Sequence, residues 1–298
     1  MRDALAASTA VNLFLPAATL FDLGGASLVV PAGSNVTLSG EGRGATLDGE
    51  WLSRIFEVHG NLTLSQLHLT RGRSPPGVVA SMSGGGAIAV AAGGSLRLLD
   101  CRVSSSTTLT NITLGDAAFT GTPDYFDPAA AEAYAEGVRG GALAVAADAN
   151  AILVRSTLTN MTSRFGGAIY TAGRTTILQS FITSATAEFG GAIALLQGEL
   201  VVLESAVSHS RSLRDTGCIL VGSGSQLSMR DSSITNSFAD EVRARACRAP
   251  FRGRTRATST ADLSSLYAYP LLHRTKVRSL CLGVRRLLIV CLRLHPPQ

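Results

Sequence analysis

Lysine is almost missing: Lys276 is the only one among 26 basic side chains. Charged residues make up 16% of the 298 positions, and apolar residues 46%. Charge this sparse beside so much apolar surface excludes a disordered, solvated chain. Aromatic residues are also scarce, at 5%, which excludes a core built on large rings. Ala, Val, Ile and Leu must pack close to backbone instead, and the 31 glycines allow that approach. Long apolar runs are lacking as well. Mean hydropathy is +0.26, yet the uncharged stretch 4–21 is broken by Asn12 and Pro16. A spanning helix needs ~18 uninterrupted apolar residues, so no transmembrane segment is expected. The five cysteines follow neither a zinc-ligand spacing nor a disulfide framework. No metal and no cofactor is expected.

The net charge of +5 divides sharply along the chain. Residues 1–242 hold 14 Arg and 20 acids, a net of −6. Residues 243–298 hold 11 Arg, one Lys and one Asp, a net of +11. The basic pI of about 9.2 therefore describes the tail. A nucleic-acid partner is not expected for 1–242.

Repetition decides the fold. Gly85-Gly86-Ala87-Ile88 recurs as Gly140-Gly141-Ala142-Leu143, Gly166-Gly167-Ala168-Ile169 and Gly190-Gly191-Ala192-Ile193. A degenerate copy reads Thr216-Gly217-Cys218-Ile219. The second glycines, with Gly217 in the last copy, lie 55, 26, 24 and 26 residues apart, so the first interval is one period plus an insertion. Periods of this size mark a stacked array in which no unit can bury its own apolar face. A second ladder runs through Leu69, Val103, Leu158, Ile182, Val207 and Ile234. Five residues before each stand Leu64, Leu98, Leu153, Ile177, Val202 and Met229. Two before it come Leu67, Cys101, Ser156, Ser180, Ser205 and Ser232, mostly small. Segments this short and this punctuated by glycine are strands.

One equivalent strand per repeat predicts an all-β, single-stranded right-handed parallel β-helix of about seven rungs, roughly 34 Å long at the interstrand spacing. The glycine pairs should mark bends where a side chain would clash or φ is positive. Upstream, residues 27–30, 35–40, 45–49, 55–58 and 61–64 read as further short strands. Arg2-Asp3-Ala4-Leu5-Ala6-Ala7 reads as a short N-terminal cap helix over the first rung. The coil domain is then 1–242 with an insertion at 104–138, and 243–298 is an irregular basic tail.

These residues resemble a known family. The Gly-Gly-Ala-[Ile/Leu] copies, with Thr46-Leu47-Asp48-Gly49 and Asn61-Leu62-Thr63-Leu64 upstream, look like pectin-lyase-like right-handed β-helix proteins. Within that group they are most similar to the repeats of polymorphic outer-membrane proteins. The likeness covers about residues 1–240 and rests on the in-phase copies. The companion Phe-x-x-Asn motif is absent, and the tail lacks the alternation of membrane strands. The resemblance implies the fold and an extracellular or cell-surface, adhesive or structural role. It carries over no catalytic residue.

Polysaccharide lyases and glycoside hydrolases share that fold, so enzyme chemistry is the alternative reading. Of the galacturonan hydrolase elements only His59-Gly60 is present. Glu204 and Asp231 fall at equivalent positions on successive rungs, a separation of about 5 Å. The ladder they belong to reads Gln66, Asp100, Arg155, Gln179, Glu204, Asp231, which suits a solvated face of mixed charge. No catalytic residue is assigned. His68 and His209 lack ligand partners at metal spacing and read as structural or solvent-facing.

The insertion 104–138 is the better candidate for binding. It carries Asp116, Asp124, Asp127, Glu132 and Glu136 without one basic residue. Asp127-Pro128 is a helix start, with a cap and a proline at the first helical position, and Gly137 would end that helix. Phe119, Tyr125 and Phe126 suit stacking on a sugar or a protein partner, or else packing against the flank of the coil. Asp124, Tyr125, Phe126 and Asp127 are the candidate binding residues, and a surface glycan or protein is the candidate partner.

Asn35, Asn61, Asn111 and Asn160 open N-x-Thr triplets. These suit either a glycosylated protein or the turn-then-strand needs of a β-helix. Arg2-Asp3 and Asn12 spoil a signal peptide at the N-terminus. The tail reads as a membrane-surface or nucleic-acid segment, or as a frame-shifted or mis-spliced end of a larger gene.

Overall fold

The computed structural model describes residues 1–7, 9–42, 44–74, 84–108, 139–215, 217–222 and 224–239. The tail 243–298 lies outside them, as do 75–83 and 109–138. The described chain winds into a parallel β-solenoid of about seven turns, each turn laying one strand into each of three sheets. The first sheet stacks Ala10–Leu15, Asn35–Gly40, Asn61–Ser65, Ser95–Leu99, Asn150–Val154, Arg174–Leu178, Glu199–Leu203 and Gln226–Arg230. The second runs through Leu20–Asp22, Ala45–Asp48, Leu67–Thr70, Arg102–Thr107, Thr157–Thr162, Phe181–Phe189, Ala206–Ser208 and Ser233–Thr235. The third stacks Leu28–Val30, Phe56–Val58, Ile88–Val90, Leu143–Val145, Ile169–Thr171, Ile193–Leu195 and Ile219–Val221.

The apolar ladders read from the repeat are register partners. Leu64, Leu98, Leu153, Ile177, Val202 and Met229 pair in sequence along the first sheet. Leu69, Val103, Leu158, Ile182, Val207 and Ile234 do so along the second. Side chains alternate across a strand, so one such position per strand faces inward on every turn. Burying each is worth about 1.5–3 kcal/mol.

Three local devices turn the corners. In each glycine pair the first member has positive φ, from +59° at Gly140 to +67° at Gly85. The second cannot carry a Cβ, which at Gly141 would stand 2.2 Å from the carbonyl oxygen of Gly167 one turn on. Between the first and second sheets, Gln66, Asp100, Arg155, Gln179, Glu204 and Asp231 all lie in the left-handed region, at φ 46–53°. After the last four of these comes a serine, which stitches turns together. The backbone N–H of Ser156 donates to Oγ of Ser180 at 3.0 Å, and that of Ser180 to Oγ of Ser205 at 3.0 Å. Each hydroxyl in turn donates to the carbonyl two residues back, as Ser180 does to Leu178 at 2.7 Å. Without these hydroxyls, buried corner N–H groups would lose their partners, at about 1–3 kcal/mol each.

The structure corrects the start of the insertion. Strand Arg102–Thr107 continues through Ser104, whose partner is Thr159, to Thr107 opposite Thr162. A run of Ser and Thr reads as a loop, but here Ser104 and Ser106 are buried inside a strand. The strands Ala10–Leu15 and Leu20–Asp22 also form a turn ahead of the first one expected.

The outer faces differ. One outward column of the first sheet begins at the exposed Phe14, turns polar at Ser39 and Ser65, becomes Leu99, Val154, Leu178 and Leu203, and ends at Arg230. In the third sheet the outward Ala89, Ala144, Tyr170, Ala194 and Leu220 are buried as well.

Candidate functional site

The corner between the second and third sheets is where the turns differ most in length. Strand Phe181–Phe189 leads almost directly into Ile193–Leu195, whereas 17 residues separate Thr70 from Ile88 and 35 separate Thr107 from Leu143. The ends of both connections lie at the same corner on consecutive turns. Their inner parts, 75–83 and 109–138, fall outside the described residues, but their bases do not.

Arg54 closes the base of the first. Its guanidinium is fully buried and donates from Nε to the Gly85 carbonyl (3.0 Å) and from Nη2 to the Gly84 carbonyl (2.7 Å) and Ser74 Oγ (3.2 Å). Nη1 meets Glu57 Oε1 at 3.1 Å. A planar fork with five donors can bond to both ends of a loop at once, which an ammonium cannot. Burial pushes the Arg54 pKa below its ordinary value, and Glu57 partly restores it.

The base of the second connection is held by hydroxyls and rings. Thr108 donates from Oγ1 to Ser163 Oγ at 3.1 Å and from its N–H to the Thr162 carbonyl at 3.3 Å. On the returning side, Arg139 bridges to Phe165 and lies 5.0 Å over the Tyr170 ring. Its carbonyl accepts from the Gly85 N–H at 2.7 Å, tying the two bases to each other. One turn further, Arg164 Nε stands 3.4 Å from Oε2 of the fully buried Glu188, beside the stacked rings of Phe165 and Phe189 at 5.1 Å. The result is a platform of buried Arg, Glu and aromatic groups. Buried charges with these partners resist displacement, because removing one leaves the other unpaired.

The candidate binding residues Asp124, Tyr125, Phe126 and Asp127 lie outside the described residues, as does Asn111. The Gln66-to-Asp231 ladder is exposed, and its groups engage each other across turns. Arg155 holds Asp100 in two hydrogen bonds of 2.7 and 2.8 Å, and this keeps the Asp100 carboxyl below the usual carboxylate range. Gln179 donates to Glu204 at 2.9 Å. His68 is half-buried with Nε2 at 2.7 Å from Ser104 Oγ, and burial, aided by Arg102, lowers its pKa. His209 is exposed, 3.3 Å from the Asn236 amide, and His59 sits at a bend. Among the described residues, no group of three or more His, Cys, Asp or Glu side chains is placed to hold a metal ion. No helix among them is long and apolar enough to cross a membrane.

Sequence reasoning passed over Arg54, Arg139 and the Arg164–Glu188 pair. The last was visible in the repeat: Arg164-Phe165-Gly166-Gly167 and Glu188-Phe189-Gly190-Gly191 place opposite charges at one position of successive copies. Arg54 lies in a turn with no glycine pair, and no periodic signal points to it.

No family model, curated protein or solved structure matches this chain. The solenoid therefore rests on its own register and ladders.

Proposed function

We propose that the chain is a non-catalytic surface or secreted β-helix module with a structural or adhesive role, binding a glycan or a protein at the corner between the second and third sheets. The observation that carries this reading is the shared corner. Two long connections have their ends there on consecutive turns, and buried Arg54, Arg139 and Thr108 fix their bases. Solenoids place binding loops on one face in this way, on a frame that does not yield. In this reading the coil is right-handed and occupies 1–242, the helix Arg2–Ala7 caps its first turn, and 243–298 is a separate tail. Kinship with the pectin-lyase-like proteins, and with the polymorphic outer-membrane repeats among them, belongs to the same proposal.

A glycan-array and polysaccharide-depolymerisation screen of the full chain, with and without calcium, tests it. Binding without cleavage, abolished by deleting 110–136, is the expected result. Depolymerisation of any uronan would replace this reading with a carbohydrate-active enzyme. Binding that survives the deletion would move the site elsewhere.

A further inference from the structure

Two of the asparagines that open N-x-Thr triplets stack on one another. Asn35 and Asn61 are register partners at the start of consecutive first-sheet strands, and both are exposed. The side-chain amide of Asn61 donates to Oδ1 of Asn35 at 2.7 Å. Thr37 and Thr63, two residues on, are register partners as well and share the outer face with them. Each triplet thus presents its carboxamide and its hydroxyl together on the solvent side. The same column continues through Ser95 to Asn150, an internal contrast: Asn150 is half-buried and opens Asn150-Ala151-Ile152, which has no hydroxyl.

The hydrogen bond between the pair leaves room for chemistry at nitrogen. It uses the oxygen of Asn35 and one of the two hydrogens on the Asn61 nitrogen. Replacing one hydrogen on either nitrogen by a glycosyl group keeps both the acceptor and one N–H of Asn61. Since both side chains point to solvent, the substituent displaces no core contact.

We propose that Asn35 and Asn61 form a paired N-glycan acceptor site on the outer face of the first sheet. The proposal rests on the extracellular placement given above and adds the modification that the face carries. The donor is an oligosaccharide linked through a diphosphate to a lipid. Nδ2 attacks the anomeric carbon, the N–C bond forms and the bond from that carbon to the phosphate oxygen breaks. The lipid diphosphate leaves with the bonding pair, and the amide loses one proton. The two glycans root about 4.8 Å apart and cover the early turns around Phe14, Ser39 and Ser65. The apolar later column, Leu99 to Leu203, stays uncovered by them.

The test is the full chain behind a cleavable export signal, made in a glycosylating secretory cell. Peptide mass mapping follows release of the glycans by an amidase that converts each modified Asn to Asp. The expected result is conversion at 35 and 61, loss of one glycan in N35Q and in N61Q, loss of both in N35Q/N61Q, and an unmodified Asn150. Glycosylated and deglycosylated chains should melt within a few degrees of each other. A secreted chain with Asn35 and Asn61 both untouched overturns the proposal, whatever happens at Asn160. If the cell retains the chain, translation into microsomes gives the same readout, and a protease-protected chain without glycan at either position overturns it equally. Glycans at both positions with no ligand in the binding screen would keep this site and remove the adhesive role. Ligand binding by an unglycosylated chain would do the reverse.

Discussion

Ile169 and Ile193 face the core from the same position of consecutive third-sheet strands, paired in register and each with no exposed surface. Each therefore packs against its own counterpart. Replacing either with Ala should cost about 2–5 kcal/mol. Replacing both with Asp buries two carboxylates that have no partner, which exceeds the stability of most domains. The double variant should lose its β-sheet circular dichroism. A folded double variant would contradict the ladder.

Arg54 offers a second test, because its bonds to Ser74, Gly84 and Gly85 join parts of the chain that are far apart in sequence. Arg54→Ala should destabilise by about 3–5 kcal/mol, as expected when a buried, hydrogen-bonded charge is removed. Arg54→Lys should recover only part of this, since one ammonium cannot reach both sides of the loop base. Thermal melts of the two variants check the order. A lysine variant as stable as the parent would show that charge alone suffices.

His68 makes stability depend on pH. Its pKa in the folded chain lies below the ordinary 6.5, first through burial and then through Arg102. The folded state therefore takes up its proton later than the unfolded state does. The contribution of His68 is complete above about pH 6.5 and shrinks as pH falls from there through the lowered pKa. Melting temperatures should drop across that window in the parent and less in His68→Asn. An unchanged slope would remove His68 as the cause.

The two cysteines of the coil should be silent. Burial pushes the Cys101 thiol up to about 11 and the Cys218 thiol up to about 12. The thiolate is the reactive form, so alkylation at pH 8 should spare both in the native chain and modify both after denaturation. Peptide mapping separates them from the tail cysteines. Rapid native labelling of Cys218 would mean that the last turns open readily.

The ladders were legible in the sequence because a stacked array repeats its inward residues at a fixed interval, and stacking places like on like. Leu153, Ile177 and Val202 could be aligned without any structure. The serine corner was seen as a run of small residues, though its hydrogen bonds were not. The left-handed conformation of Gln66 and Arg155 left no mark, since those residue types carry no preference for positive φ. The strand end at Thr107 was missed because a string of Ser and Thr looks like a loop until its register partners are known. The candidate site was least legible of all. A clasp such as Arg54 is set by where two distant backbone segments meet, and neither segment announces it.

The corner formed by a left-handed residue and a serine gives the molecule a modular length. The same two-residue joint closes at Arg155–Ser156, Gln179–Ser180 and Glu204–Ser205, and each serine bonds within its own turn and to the turns beside it. A turn can thus be duplicated or lost as one unit, with its neighbours meeting through an identical joint. Coil length is then free to vary between related chains while the cross-section stays constant. Such a coil can serve as a spacer whose reach is set by the number of copies.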